Sequence, residues 1–139
     1  MRRRAVFFAL SLIALSGCQA ASQDVARQYH PAEPRYVVFY SPWSSTLDAK
    51  GLALVAQAAQ DALKDPASTV QVVGFASTIG SDAANQALSE ERAEGVLHQL
   101  IADGVPQGRI TSMARGATTY QLSAIEARRV EIDIVRAGF

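Results

Sequence analysis

The chain has 139 residues, 49% of them hydrophobic, and it carries 13 basic and 13 acidic side chains. Its first 17 residues contain three arginines and no acidic group, so the remainder holds 10 basic against 13 acidic side chains, a net charge of −3. Because nucleic-acid-binding domains usually carry a basic surplus, this balance argues against such a partner.

The N-terminal segment has the pattern of a secretion signal. The three arginines precede an apolar run over residues 5–15, which has the length of a signal-peptide core and is short for a membrane span. Leu15, Ser16, Gly17 and Cys18 end this segment and resemble the lipobox of bacterial lipoproteins, in which cleavage before the cysteine leaves that residue to carry lipid. Several acyl chains on Cys18 would anchor the protein stably, and an unpaired thiol is the alternative.

Residues 1–17 are therefore predicted to be a lipoprotein signal peptide, and residues 18–34 a lipidated N-terminus and flexible tether. The tether is polar, lacks a clear period and contains two prolines, which suits an extended linker. Gln19 stands where an aspartate in well-studied lipoproteins favours retention in the inner membrane. The expected location is the periplasmic face of the outer membrane. Cys18 is the only cysteine, so no disulfide stabilises the domain predicted over residues 35–139.

The first half of that domain has the pattern of a strand followed by a helix. Residues 35–40 are rich in β-branched and aromatic side chains, which predicts a strand. A helix is expected over residues 47–64, with the hydroxyl residues 44–46 as capping candidates. Its apolar positions predict a buried stripe of Leu52, Val55, Ala56, Ala59 and Leu63.

A second strand, loop and helix follow. Residues 70–75 alternate as a strand does, small polar residues over 76–82 break the period, and residues 84–102 have helical periodicity. The predicted buried stripe of this helix is Leu88, Ala93, Val96, Leu97, Leu100 and Ile101. Arg92 lies beside that stripe, about one turn from the loop. Ser77 and Arg92 are therefore expected to face one small pocket.

The last third of the chain completes a sheet. Gly104 is expected to close the helix, a weak strand covers residues 110–115, and a loop covers 116–123. Residues 128–136 alternate apolar and charged side chains and form the clearest strand. The order strand, helix, strand, helix, strand, strand predicts an α+β domain with two helices packed on one face of a mixed four-stranded sheet.

The residue pattern gives little support to catalysis. His30 and His98 are far apart in sequence, and neither has acidic or cysteine residues at metal-ligand spacing. No serine lies in a Gly-x-Ser-x-Gly motif, and Gly74 and Gly80 are too far apart for a nucleotide-binding loop. We therefore expect no enzymatic activity, no metal site and no other cofactor.

Two motifs carry a family resemblance. Residues 85–93 read NQALSEERA and resemble the second helix of OmpA-like domains. Residues 128–132 read RRVEI and are similar to the last strand of those domains. The likeness covers about residues 36–136. It implies a β-α-β-α-β-β fold and a periplasmic module that holds peptidoglycan, as in the peptidoglycan-associated lipoproteins.

The resemblance also implies a ligand site. In OmpA-like domains an aspartate in a Gly-His-Thr-Asp loop holds the ammonium of diaminopimelate in the peptidoglycan stem peptide, and an arginine in a Leu-Ser-x-x-Arg-Ala helix holds the carboxylate. Arg92 matches the arginine, whereas Ser77 stands at the position of the aspartate. Losing a charged hydrogen bond costs about 1.5–3 kcal/mol, or roughly ten- to a hundredfold in affinity. Asp82 and Glu91 are candidates to supply the missing acid.

Two interpretations follow. The first is a lipid-anchored module that binds peptidoglycan through Arg92 and tethers the envelope to the cell wall, weakly because of the serine. The second is an envelope scaffold of the same fold that binds another protein, with Arg92 as an exposed arginine at a helix flank. Trp43 and Phe75 are expected in the core, or else as aromatic contacts for a partner. Of Arg128 and Arg129 at most one can point toward the pocket, because alternate strand residues face opposite ways.

Overall fold

The computed structural model describes residues 35–119 and 123–136. The signal-peptide, tether and lipidation predictions, with Cys18, lie outside these residues, and so does Tyr120. The elements in chain order are β1 (Arg35–Phe39), α1 (Ala49–Lys64), β2 (Thr69–Ala76), α2 (Asp82–Ala102), β3 (Ile110–Ala117), α3 (Ala124–Ala127) and β4 (Arg129–Val135). A short 3-10 helix, Gln107–Arg109, leads into β3.

The four strands form one mixed sheet in the order β1-β4-β2-β3. The last strand, β4, lies between β1 and β2 and is antiparallel to both. Helix α2 connects β2 to β3, which pairs parallel to β2 and is the second edge strand. The predicted α+β class and the mixed four-stranded sheet are confirmed.

The core lies between the sheet and the two long helices. In β4 the predicted alternation is confirmed, because Val130, Ile132 and Ile134 are buried while the residues between them are not. Helix α1 packs against β1, and α2 packs against β2 and β3. The strands and helices together contribute a continuous apolar cluster: Tyr36, Val38, Tyr40, Val55, Ala58, Ala59, Ala62, Val70, Val72, Ala93, Val96, Leu100, Val105, Val130, Ile132 and Ile134.

The predicted buried stripe of α1 is partly wrong. Leu52 and Leu63 are 41% and 43% exposed, and the buried positions are Gly51, Val55, Ala58, Ala59 and Ala62. The small residues of this face let the helix lie close to β1, since a Cβ at Gly51 would be 3.1 Å from Val38 Cγ1. The capping prediction at residues 44–46 is also wrong, because Asp48 caps the helix and its Oδ1 accepts from the Gly51 amide at 2.7 Å.

The C-terminal part departs from expectation in its detail. Gly104 has a positive φ of 101° and closes α2, as expected for glycine in that position. The weak third strand is real and extends to Ala117, which shortens the predicted loop. The short helix α3 lies between the predicted loop and the predicted last strand, where no element was expected. Among the residues described, none of the helices has both the length and the apolar character to cross a bilayer.

Candidate functional site

A pocket lies outside the carboxyl end of β2, where the loop before α2, the β1–α1 connection and the start of β4 meet. Its volume is about 100 Å³. We call it the arginine pocket, because two of its lining residues are arginines. The lining consists of Pro42, Trp43, Ser77, Ile79, Asn85, Leu88, Arg92 and Arg128.

Arg92 is the largest fully buried side chain among the described residues, with 0% exposure. Its Nε donates to the carbonyl oxygen of Ser44 at 2.8 Å, and an Nη donates to that of Phe75 at 3.0 Å. A longer contact of 3.4 Å joins the other Nη to the Ser41 carbonyl. Arg92 therefore ties the β1–α1 connection to the end of β2. The interpretation of Arg92 as an exposed arginine is wrong.

The guanidinium of Arg92 lies over an aromatic ring and near a second cation. Its Cζ is 5.0 Å from the centre of the Tyr40 ring, a cation–π arrangement. Burial lowers the pKa of Arg92; Tyr40 opposes that change, while the positive charge of Arg128 lowers the pKa further. Arginine still keeps its proton at any ordinary pH. The pocket therefore holds two neighbouring positive charges.

Arg92 has hydrogen-bonding capacity beyond its structural contacts. A guanidinium has five N–H groups in a planar fork. The described part of the chain accepts three of them, all at backbone carbonyl oxygens. The remaining two N–H groups belong to a side chain that lines the pocket.

Ser77 is 8% exposed and lies in the turn that follows β2. Its Oγ accepts from the Ile79 amide at 3.3 Å, so the hydroxyl helps to fold its own loop. The buried Asn85 supports the same loop, since its Nδ2 donates to the Ile79 carbonyl at 3.2 Å. No carboxylate belongs to the described lining of the pocket. Asp82 and Glu91 are both exposed and are not part of that lining.

Trp43 borders the pocket in an unusual backbone conformation. It has a φ of 59° and is the only non-glycine residue with a positive φ in the described ranges. Ser44 N donates to Ser41 O at 3.2 Å across this turn. Pro42 followed by a residue with positive φ is the arrangement of a type II turn. The indole is 62% exposed, and its Cη2 is 3.0 Å from where a Cβ on Gly80 would lie. The prediction that Trp43 is in the core is wrong.

Arg128 and Arg129 point to different places, as alternation requires. Arg128 lines the pocket, with Nε donating to the Tyr40 carbonyl at 3.1 Å. Arg129 lies over the ring of Phe75, with its Cζ 4.1 Å from the ring centre, and pairs with Glu131 at 2.7 Å. Phe75 is half-buried under that contact and is not in the fully buried core.

The structure brings Ser77 and Arg92 into one pocket and leaves the histidines out of it. His98 is exposed on α2, and His30 lies outside the described residues. Within the part of the chain that the structure describes, no group of three or more metal-ligand side chains comes together. Sequence reasoning did not place Asn85 or Trp43 at the site. Asn85 lies one helical turn before Ser89 and two turns before Arg92, and this polar continuation of the buried stripe was the available signal.

Comparison with known families decides the membership of the chain. A family model described as "OmpA family" matches residues 39–129, which is more than half of the sequence. The chain belongs to the OmpA family. The matched residues include β2, α2 and every residue that lines the arginine pocket, so the pocket belongs to the family domain.

Curated relatives agree with the OmpA family assignment. Outer membrane protein A of Bordetella avium is 36% identical over 103 residues, which covers 70% of this chain and 53% of that protein. Outer membrane protein A of Citrobacter freundii is 41% identical over 69 residues, which covers 47% of this chain and 29% of the relative. The chain therefore spans about half or less of the length of these relatives.

Solved structures share the fold. The OmpA-like domain of FopA1 from Francisella tularensis aligns with a TM-score of 0.66 at 25% identity, covering 73% of this chain and 72% of that one. The peptidoglycan-associated lipoprotein from Burkholderia pseudomallei aligns with a TM-score of 0.63 at 23% identity, covering 72% and 88%. The second likeness, given its low identity, bears on the fold alone.

Proposed function

We propose that the protein is an outer-membrane lipoprotein whose OmpA-family domain binds peptidoglycan non-covalently and tethers the envelope to the cell wall. The observation that carries the proposal is a pocket lined by Arg92, whose guanidinium keeps two N–H groups beyond the three that bond the backbone. One solved structure of this fold is a peptidoglycan-associated lipoprotein by name. The relatives named above are outer membrane proteins by name.

The proposed contact joins Arg92 to a carboxylate of the peptidoglycan stem peptide. A guanidinium donates two parallel hydrogen bonds to a carboxylate, and these charge-assisted bonds are about twice as strong as neutral ones. Ser77 lies across the same pocket and contributes a hydroxyl without charge. We therefore expect binding that is real but weaker than in a domain with an acid at that position, by about ten- to a hundredfold.

Co-sedimentation with purified cell-wall sacculi tests this function. The full-length chain, kept soluble in mild detergent, is expected to pellet with sacculi, and Arg92→Ala is expected to remain in the supernatant. Arg109→Ala is the matched control: Arg109 also donates to backbone carbonyls, those of Ala62, Asp65 and Ser68. It does so at the amino end of β2, away from the pocket, so its removal weakens the fold without touching the site.

Both variants are compared at a temperature where circular dichroism shows them folded. Retained sedimentation of Arg92→Ala would refute the pocket mechanism. If neither the wild type nor any variant pellets with sacculi, the scaffold alternative is favoured, in which an envelope protein contacts the exposed Trp43 and Ile79 at the pocket rim.

The membrane anchor is part of the proposal and has its own test. Mass spectrometry of the mature protein should find an N-terminal Cys18 that carries acyl chains. Fractionation should recover it with outer-membrane vesicles, and Cys18→Ala should abolish both results. An intact N-terminus with residues 1–17 still attached would contradict the anchor while leaving peptidoglycan binding open.

A further inference from the structure

The charge distribution of the arginine pocket is one-sided. Arg92 and Arg128 bring two guanidinium groups to it, and the rest of the described lining is apolar or uncharged. The apolar part comes from Pro42, Trp43, Ile79 and Leu88. The lining therefore offers strong donors to an anion and no anionic acceptor to a cation.

The acceptor atoms near the pocket are neutral, and several of them already accept one hydrogen bond. Ser77 Oγ accepts from the Ile79 amide, and the Ile79 carbonyl accepts from Asn85. The carbonyls of Ser44 and Phe75 accept from Arg92 itself. An ammonium group that entered the pocket would lose water, meet two like charges and find only neutral acceptors, in a lining that includes Ser77 and Asn85. The lost water and the like charges oppose its binding.

From this arrangement we propose that the arginine pocket selects a carboxylate carried on an apolar or uncharged group and disfavours an ammonium beside that carboxylate. The inference rests on the proposed peptidoglycan function and specifies its ligand: a stem-peptide end whose amine is masked, or one that ends in an uncharged aliphatic residue, binds better than a zwitterionic end.

The size of the pocket fits such a ligand. Its volume of about 100 Å³ is smaller than the roughly 150 Å³ that accommodates benzene in an apolar cavity. It therefore admits a carboxylate with a few carbon atoms, and the rest of the peptide stays outside. The exposed indole of Trp43 and the 58% exposed Ile79 also line the pocket and are available to contact that remaining part.

Three synthetic stem peptides distinguish the possibilities. The first ends in diaminopimelate with a free terminal amine and carboxylate, the second has that amine acetylated, and the third has that carboxylate amidated. Affinities of the full-length chain are measured by isothermal titration calorimetry. Trp43 is the only tryptophan in the sequence, so a change in its fluorescence reports occupation of the pocket independently.

We expect the acetylated peptide to bind at least as tightly as the free-amine peptide, and the amidated one to bind about tenfold more weakly or worse. Any loss of affinity on acetylation, or none on amidation, overturns the proposal even though peptidoglycan binding itself stands. Failure of all three peptides, together with failure to pellet with sacculi, overturns the proposed function as well.

Variants at Ser77 test the same idea in reverse. Ser77→Asp supplies the absent carboxylate and can still accept from the Ile79 amide, because aspartate forms the equivalent turn. It should reverse the preference, so that the free-amine peptide binds more tightly than the acetylated one. Ser77→Asn has the same shape without the charge and should keep the wild-type preference. If Ser77→Asp is folded and the preference is unchanged, an ammonium does not come near this position and the proposal is overturned.

Discussion

Replacing Arg92 by alanine should destabilise the fold as well as the site. The guanidinium makes two short hydrogen bonds, to the carbonyls of Ser44 and Phe75 at 2.8 and 3.0 Å, and each such bond from a charged donor contributes about 1.5–3 kcal/mol. The substitution leaves both partly buried carbonyls without this donor and opens a cavity. After allowing for the cost of burying a charge in the wild type, we expect a loss of about 3–5 kcal/mol in the free energy of unfolding. Small domains have only about 5–15 kcal/mol in total.

Urea unfolding followed by circular dichroism measures this loss. Arg115→Ala is the control, since Arg115 is exposed on β3 and surface substitutions usually change stability by less than about 0.5 kcal/mol. Arg92→Lys should fall between the two, because an ammonium keeps the charge but cannot reach the separated carbonyls with one planar fork. A free energy of unfolding for Arg92→Ala within about 1 kcal/mol of the wild type would refute the structural role that we assign to this side chain.

Two further substitutions test other contacts. Gly74→Ala should destabilise the domain by about 1–3 kcal/mol, because the new Cβ would lie 2.1 Å from the Ser89 carbonyl oxygen of α2. Gly108→Ala is the control: its Cβ would have no other atom within 4 Å, so it should be close to neutral in the same urea titration. Burial raises the pKa of Tyr36 from 10.0 to about 12, so its stabilising contribution is fully present below pH 10 and is lost as the pH rises toward 12. Tyr36→Phe should reduce that alkaline loss of stability, and an equal loss in both proteins would contradict the assignment.

The fold could be predicted from the sequence where a single period dominates. In β4 apolar and charged residues alternate so regularly that Val130, Ile132 and Ile134 could face only the core. The buried face of helix α1 could not be predicted in the same way, because its alanines and leucines lie on more than one face of the helix. Leucine is more hydrophobic than alanine, yet Leu52 and Leu63 are exposed. The face of α1 that packs against the sheet is the one with the smallest side chains. Which face packs there depends on contacts between distant segments, and these cannot be read from the local sequence.

The sequence was enough to predict where the site lies, but not how deeply its side chains are buried or which backbone conformations form it. Ser77 lies in the loop after β2, and Arg92 lies in the helix that follows that loop. This arrangement was enough to expect a shared pocket. It gave no sign that Arg92 would be fully buried, because arginine is rarely buried without a partner and its partners here are backbone carbonyls from distant segments. Trp43 was missed for a related reason. Its positive φ follows from a turn position that usually takes glycine or asparagine, which a tryptophan in the sequence does not signal.

Arg92 has a structural role in addition to its proposed role in binding, and this affects how much its presence says about function. Because the side chain holds the β1–α1 connection to β2, the fold requires an arginine there whether or not the pocket binds a ligand. An arginine in the Leu-Ser-x-x-Arg-Ala helix is thus weak evidence for binding by itself. The residue opposite carries more information, since Ser77 makes only one hydrogen bond to its own loop among the described residues and an aspartate would make it equally well. We therefore expect the choice between serine and aspartate to change ligand preference more than loop structure, and the affinities of the free-amine and acetylated peptides measure that change directly.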